Sequence, residues 1–242
     1  MRRPFAAITA LALMAGLSVS PSARADAPAA VNPPPLFKLG PKTPAPSLVF
    51  AYDGFAVDAS RTAKGAPPER TIGLIKGQID LVQGVGLKPE VLAFMRQAPI
   101  LADPAKPDLP GESVRYEPGK GVMIRVSRLA PKKAVLLEGL LEAYADQRLA
   151  PAERAEVSRF RSEAAHLSPP RWPRTAAMLK SDSAYFAMTA SAYLYGEITR
   201  EPYTRKDLRQ TQPRYFHWLA QYFDDGKARS SPGRGTPRPG AE

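Results

Sequence analysis

The chain has 242 residues, 34 Lys and Arg against 23 Asp and Glu, a formal net charge of +11, 27 prolines and no cysteine. Without Cys no disulfide staples the fold, so a packed core must supply the stability. The positive balance suits anionic envelope polymers or acidic protein partners, and nucleic acid is set aside because the N-terminus reads as an export signal.

That signal has three parts. Arg2 and Arg3 give a basic start, Phe5 to Leu17 is an apolar run, and Ala23-Arg24-Ala25 fits the small-x-small cleavage rule. The run is shorter than the roughly 20 apolar residues a bilayer-spanning helix needs. Residues 1–25 are expected to be a removed signal peptide, leaving a bacterial periplasmic or secreted chain from Asp26 with no stable membrane span. Loss of Arg2, Arg3 and Arg24 takes the formal charge from +11 to +8. Residues 26–46 hold Pro28, Pro33, Pro34, Pro35, Pro41, Pro44 and Pro46, an extended spacer. Residues 226–242 read as a disordered basic tail with too little apolar surface to offset the entropy of ordering. One domain, residues 47–225, lies between them and is long enough for a real core.

Within it, Leu48 to Tyr52 reads as a short strand turned by Asp53-Gly54. Thr71 to Gln83 places Ile72, Ile75, Ile79 and Val82 at helical spacing, and Gly84 and Gly86 end that helix. Pro89 suits the first turn of a second helix through Val91, Leu92 and Met95. Gly119-Lys120-Gly121 introduces a strand at Val122 to Val126. The second half is helical. Lys132 to Leu149 is stopped by Pro151, which opens a helix through about His166 with Glu153 and Glu156 near its positive end. Pro169, Pro170 and Pro173 make a rigid crossing. Asp182 or Ser183 caps Ala184 to Gly196. Pro213 opens a last helix carrying Tyr215, Phe216, Trp218, Leu219, Tyr222 and Phe223. The expected class is α+β, a small mixed sheet followed by a mainly helical half.

The helix Val135 to Arg148 carries the most information. Glu138, Glu142 and Asp146 recur every four residues along one face, and Leu136, Leu137, Leu140, Leu141 and Tyr144 cover the others. Taken alone, the stripe reads as a solvated acidic face. The apolar cover on the remaining sides points instead to a buried helix whose acids face a cleft.

Glu138-Gly139-Leu140-Leu141-Glu142-Ala143-Tyr144 resembles the His-Glu-Leu-Leu-His-Ala-Tyr zinc helix of gluzincin-like metallopeptidases akin to the anthrax lethal factor catalytic domain. About 40 residues on, Ala184-Tyr185-Phe186-Ala187 is similar to the Glu-[Tyr/Phe]-Phe-Ala segment that supplies that family's third zinc ligand. The resemblance spans roughly Gly121 to Phe223 and implies a zincin-like fold with a strand at the cleft edge, a role that falls to Val122 to Val126. It also implies that the family's first His falls on Glu138, its general base on Gly139, its second His on Glu142 and its Glu ligand on Ala184.

Every one of those four positions has lost the chemistry zinc hydrolysis requires. Gly139 cannot move a proton, and inside a helix it is expected to cost about 1 kcal/mol relative to Ala. No metal and no cofactor is expected, and no catalytic residue is assigned. The leading function is a catalytically inactive, exported pseudopeptidase that binds a peptide or envelope protein. Its groove would be walled by Tyr144, Ile124, Arg125 and Tyr185 around the degenerate positions. The alternatives are an active hydrolase, with residual metallopeptidase-like chemistry or with the two carboxylates as acid and base, and a structural envelope protein. Glu138 and Glu142 are expected to meet water or basic partners, with Arg125, Arg171 and Arg174 as candidates. His166 and His217 are expected to be packing or hydrogen-bonded residues. Ser183 and Ser191 have no His at a recognisable offset, and the Gly-rich turns lack a phosphate-loop signature.

Overall fold

The computed structural model describes residues 47–62, 67–103, 113–167, 172–173, 175–199 and 203–224. The expected signal peptide, Pro-rich spacer and basic tail lie outside them, as do Pro169, Pro170, Arg171 and Arg174. Among the described residues no helix is long and apolar enough to cross a membrane.

The fold is α+β. It opens with a hairpin of β1 (Val49–Tyr52) and β2 (Phe55–Asp58). Asp53 and Gly54 both have positive φ, 47° and 85°, the backbone a two-residue hairpin turn demands. Helices α1 (Pro68–Gly84) and α2 (Pro89–Gln97) follow, each with Pro in its first turn, where a missing N–H costs nothing. Then come β3 (Ile100–Ala102), β4 (Val114–Glu117) and β5 (Gly121–Ile124). The sheet order is β1-β2-β3-β5-β4, parallel through β2, β3 and β5 and antiparallel at both flanks.

This order corrects one expectation. The strand at Val122 is β5, and it is interior; the outer strand is β4, which adds to the strands expected from sequence. β4 does alternate, Val114 and Tyr116 buried against Arg115 exposed and Glu117 half-buried. β5 stops at Ile124 because the next residues turn into a short 3-10 segment, Val126–Arg128.

The helical half is α3 (Val135–Arg148), α4 (Pro151–Ala165), α5 (Asp182–Leu194), α6 (Arg205–Thr211) and α7 (Pro213–Asp224). α3 lies between the sheet and α5. Leu136, Leu137, Leu140 and Leu141 are fully buried, and each contributes about 1.5–3 kcal/mol by leaving water. Gln78 of α1 anchors the start of α3. Its amide nitrogen donates to the Ala130 and Lys133 carbonyls at 3.1 and 2.9 Å, and its oxygen accepts from Leu136 N at 3.1 Å. That last donor is in the first turn of α3, where no helical carbonyl can reach it. At the other end, Arg154 donates to the Leu149 and Asp146 carbonyls and closes the helix.

α5 begins earlier than expected. Ser181, in extended backbone, is the N-cap, and its hydroxyl accepts from Ala184 N at 3.0 Å. α6 is a further element beyond those expected; Thr204 and Asp207 form a capping box at its start. The aromatic residues of α7 pack as expected: Tyr215 stacks on Tyr185, and Trp218 stacks on Tyr215 and Tyr222.

Candidate functional site

A cleft of about 160 Å³ opens between β4, α3 and the start of α5. Its walls include Val114 and Arg115 from β4, Glu138 and Glu142 from α3, and Lys180, Ser181, Ala184, Ala187 and Met188 from the α5 side. Three of the four positions that the resemblance singles out therefore meet in one place. Glu138 and Glu142 do so because they sit one turn apart on α3. Ala184 joins them because α5 packs along that helix.

The fourth position goes elsewhere. Gly139 faces the sheet, where an added Cβ would stand 2.3 Å from Val114 Cγ2 and 2.6 Å from Val122 Cγ1. Glycine is thus the residue that lets α3 approach β4 and β5, and the cost expected for Gly139 changes sign once this packing is included.

The acidic stripe is graded. Glu138 is 4% exposed, Glu142 half-buried and Asp146 exposed. Both oxygens of Glu138 accept hydrogen bonds from Thr199, Oε1 from the backbone N–H at 2.7 Å and Oε2 from the hydroxyl at 2.6 Å. Glu142 Oε2 lies 3.4 Å from Tyr116 N, on the outer edge of β4. Gln147, a further turn along α3, donates to the Tyr116 hydroxyl at 2.5 Å. Together these bonds hold α3 to the outer strand and to the segment after α5.

Among the described residues, the basic groups that line the cleft are Arg115 and Lys180, both exposed. Neither stands out in the sequence, because each is brought in by a different element. Arg125 follows β5 instead, where its charge favours the ionised form of Asp103. Burial outweighs both the hydrogen bond from Val126 N and that charge, and leaves the Asp103 carboxyl raised.

The expected groove walls need correction. Ile124 is fully buried on the central strand β5, so it lines no groove. Tyr185 is fully buried, stacks on Tyr215 and donates its hydroxyl to Gln212. Tyr144 points into an aromatic cluster, edge-on to Phe94, with its hydroxyl 3.0 Å from that of Tyr222. These residues lie near Glu138, Glu142 and Ala184 in sequence, but helical rotation and strand order carry them to other faces. The histidines lie apart from the cleft. His166 Nδ1 is 2.7 Å from the Ser162 carbonyl oxygen and His217 is 3.1 Å from Gln221, both exposed. Ser183 pairs with the Ser181 hydroxyl, while the Ser191 hydroxyl is buried without a partner.

The donors in the cleft do not suit the zinc ion that the resemblance implies. The cleft offers two carboxylates and no imidazole, Ala184 has no donor atom, and Glu138 is already bonded through both oxygens. Among the described residues no group of three or more His, Cys, Asp or Glu side chains is placed to share an ion.

Comparison of the chain with family models, curated proteins and solved structures gives no match.

Proposed function

We propose that this chain is an exported, catalytically inactive relative of zincin peptidases that binds peptide in the cleft between β4, α3 and α5. The observation that carries this reading is the meeting of Glu138 and Glu142 with Ala184, about 40 residues away in sequence, on one cleft bordered by an outer antiparallel strand. An amphipathic helix with a merely solvated stripe gives no reason for Ala184 to face that stripe.

The chemistry left in the cleft supports binding rather than turnover. A general base must be able to accept a proton within hydrogen-bond reach of substrate. Glu138 is buried with both oxygens on Thr199, which also weakens the reading of the two acids as a hydrolase pair. Binding needs less. In an antiparallel ladder alternate residues turn their backbone groups outward, and on β4 these are Val114 and Tyr116. An extended peptide laid beside β4 would compete with Glu142 for Tyr116 N as an added strand does. Ala177, Ala184, Ala187 and Met188 give the opposite wall a small, apolar relief for alternate side chains.

Export belongs to the same proposal and rests on residues 1–25. N-terminal sequencing of protein from the producing cell should begin at Asp26. For the cleft, backbone NMR of the full chain titrated with a mixture of blocked pentapeptides is the test. Shifts confined to Val114, Arg115, Ala184, Ala187 and Met188, with the peptides recovered intact, are expected. Cleavage of the peptides, or shifts only elsewhere, would overturn the reading.

A further inference from the structure

We propose that the occupant of this cleft is an acidic peptide, seated with a carboxylate side chain between Arg115 and Lys180. The inference rests on the peptide-binding reading above and adds the chemistry of the partner.

The cleft contains both signs of charge, but they differ in depth. The acids form the floor. Glu138 is 4% exposed and held by Thr199, and Glu142 is half-buried against Tyr116 N. The cations form the rim on opposite walls, Arg115 on β4 and Lys180 just before α5, and both are exposed. Among the described residues, an approaching peptide therefore meets positive charge first. Arg115 pairs with Glu117 at 3.7 Å, with 43% and 29% of the two side chains exposed. An ion pair of that kind holds its members weakly, so a competing carboxylate can exchange into it.

Two neighbouring features act in the same direction. The start of α5, a helix of 13 residues, borders the cleft through Ser181 and Ala184 and turns its positive dipole end toward it. The one acid of that first turn, Asp182, is paired with Arg161 at 2.6 Å rather than left to repel an anion. Over longer range, the formal charge of +8 that remains once residues 1–25 are removed draws in acidic partners and repels basic ones. Size favours a side chain over a free cofactor: about 160 Å³ falls well below what drug-sized ligands occupy.

The test uses blocked pentapeptides, Ac-Ala-Ala-X-Ala-Ala-NH2 with X as Glu, Gln or Lys, titrated into the full chain at low salt and followed by NMR at the cleft residues. The Glu peptide should bind about fivefold more tightly than the Gln peptide, the factor a single exposed ion pair supplies. The Lys peptide should bind most weakly, and added salt should erase the order. Arg115→Gln combined with Lys180→Gln, both surface changes, should bring Glu and Gln peptides to equal affinity. A Gln peptide with a free C-terminal carboxylate should bind like its amide, which assigns the preference to a side chain. Equal affinity for all three peptides in the unaltered protein would overturn the acidic specificity and leave peptide binding standing. A preference that survives the double variant would overturn the assignment to this rim. If no peptide perturbs the cleft, peptide binding itself fails and this inference with it.

Discussion

Thr199 is bonded to Glu138 twice, N–H to Oε1 at 2.7 Å and hydroxyl to Oε2 at 2.6 Å, while Lys133 Nζ holds its carbonyl at 3.0 Å. The carboxylate expected to look onto a cleft serves as a clamp between α3 and the segment after α5. Hydrogen bonds to a charged group are worth about 1.5–3 kcal/mol each, and a buried donor left unpaired adds its own cost. Glu138→Ala should therefore destabilise the fold by about 2–4 kcal/mol in urea unfolding, and Thr199→Val by about 1–2 kcal/mol. A solvated helix residue would move stability by no more than about 0.5 kcal/mol, and that result at Glu138 would contradict the clamp.

Gly139 makes the opposite case to its helix propensity. Ala is better than Gly by about 1 kcal/mol inside a helix, whereas overpacking a core typically costs about 1–3 kcal/mol. The Cβ would press on Val114 and Val122, both β-branched and buried. Gly139→Ala should lower the melting temperature by several degrees, and a rise would show that α3 can step away from the sheet without loss.

Gln78 carries a similar expectation. It is 1% exposed and serves three backbone groups at the start of α3. Gln78→Ala leaves those groups without their partner and should cost about 2–4 kcal/mol. Chemical denaturation reads this directly, and an unchanged midpoint would mean the start of α3 holds without the side chain.

Burial pushes the phenols of Tyr185, Tyr215 and Tyr222 well above the ordinary tyrosine value of 10.0. Above that value the unfolded chain has lost protons the folded chain keeps, so stability falls as pH rises. This contribution should be fully present below about pH 10 and decline beyond it. Absorbance at 295 nm should show the buried phenols ionising only as the fold is lost. All nine tyrosines titrating together near pH 10 with native circular dichroism retained would contradict their burial.

What can be read in the sequence depends on length and period. Ile75, Ile79 and Val82 recur at helical spacing, and all three are fully buried. Pro68, Pro89, Pro151 and Pro213 each sit in the first turn of a helix, because fixed φ and a missing N–H are tolerated there. The strands β2, β3 and β4 escape such a reading, whereas β1 and β5, no longer than β2 and β4, show as apolar runs beside glycine-containing turns.

The cleft is half legible. Glu138 and Glu142 announce themselves by spacing, and Ala184 by the apolar frame around it. Tyr144, Ile124 and Tyr185 do not join them, because sequence adjacency says little about which way a side chain points. Arg115 and Lys180 enter through long-range packing, which no local pattern encodes. Gln78 leaves a signal, a polar residue next to Ile79 and one turn from Ile75 on the buried face, and a buried glutamine of that kind must find backbone partners.

The proposed zincin-like origin of the cleft is tested most directly by zinc titration of a variant that introduces the ligand types. Glu138→His, Glu142→His and Ala184→Glu place two imidazoles and a carboxylate around one cleft, the donor set a tetrahedral zinc site takes with a water. Gly139 is left unchanged because its Cβ space is filled. Native circular dichroism establishes that the variant folds despite losing the bonds to Thr199. The predicted result is one zinc per chain, bound at least about a hundredfold more tightly than by the parent protein, since converging ligands act as a chelate. A folded variant with no more zinc affinity than the parent would contradict that origin.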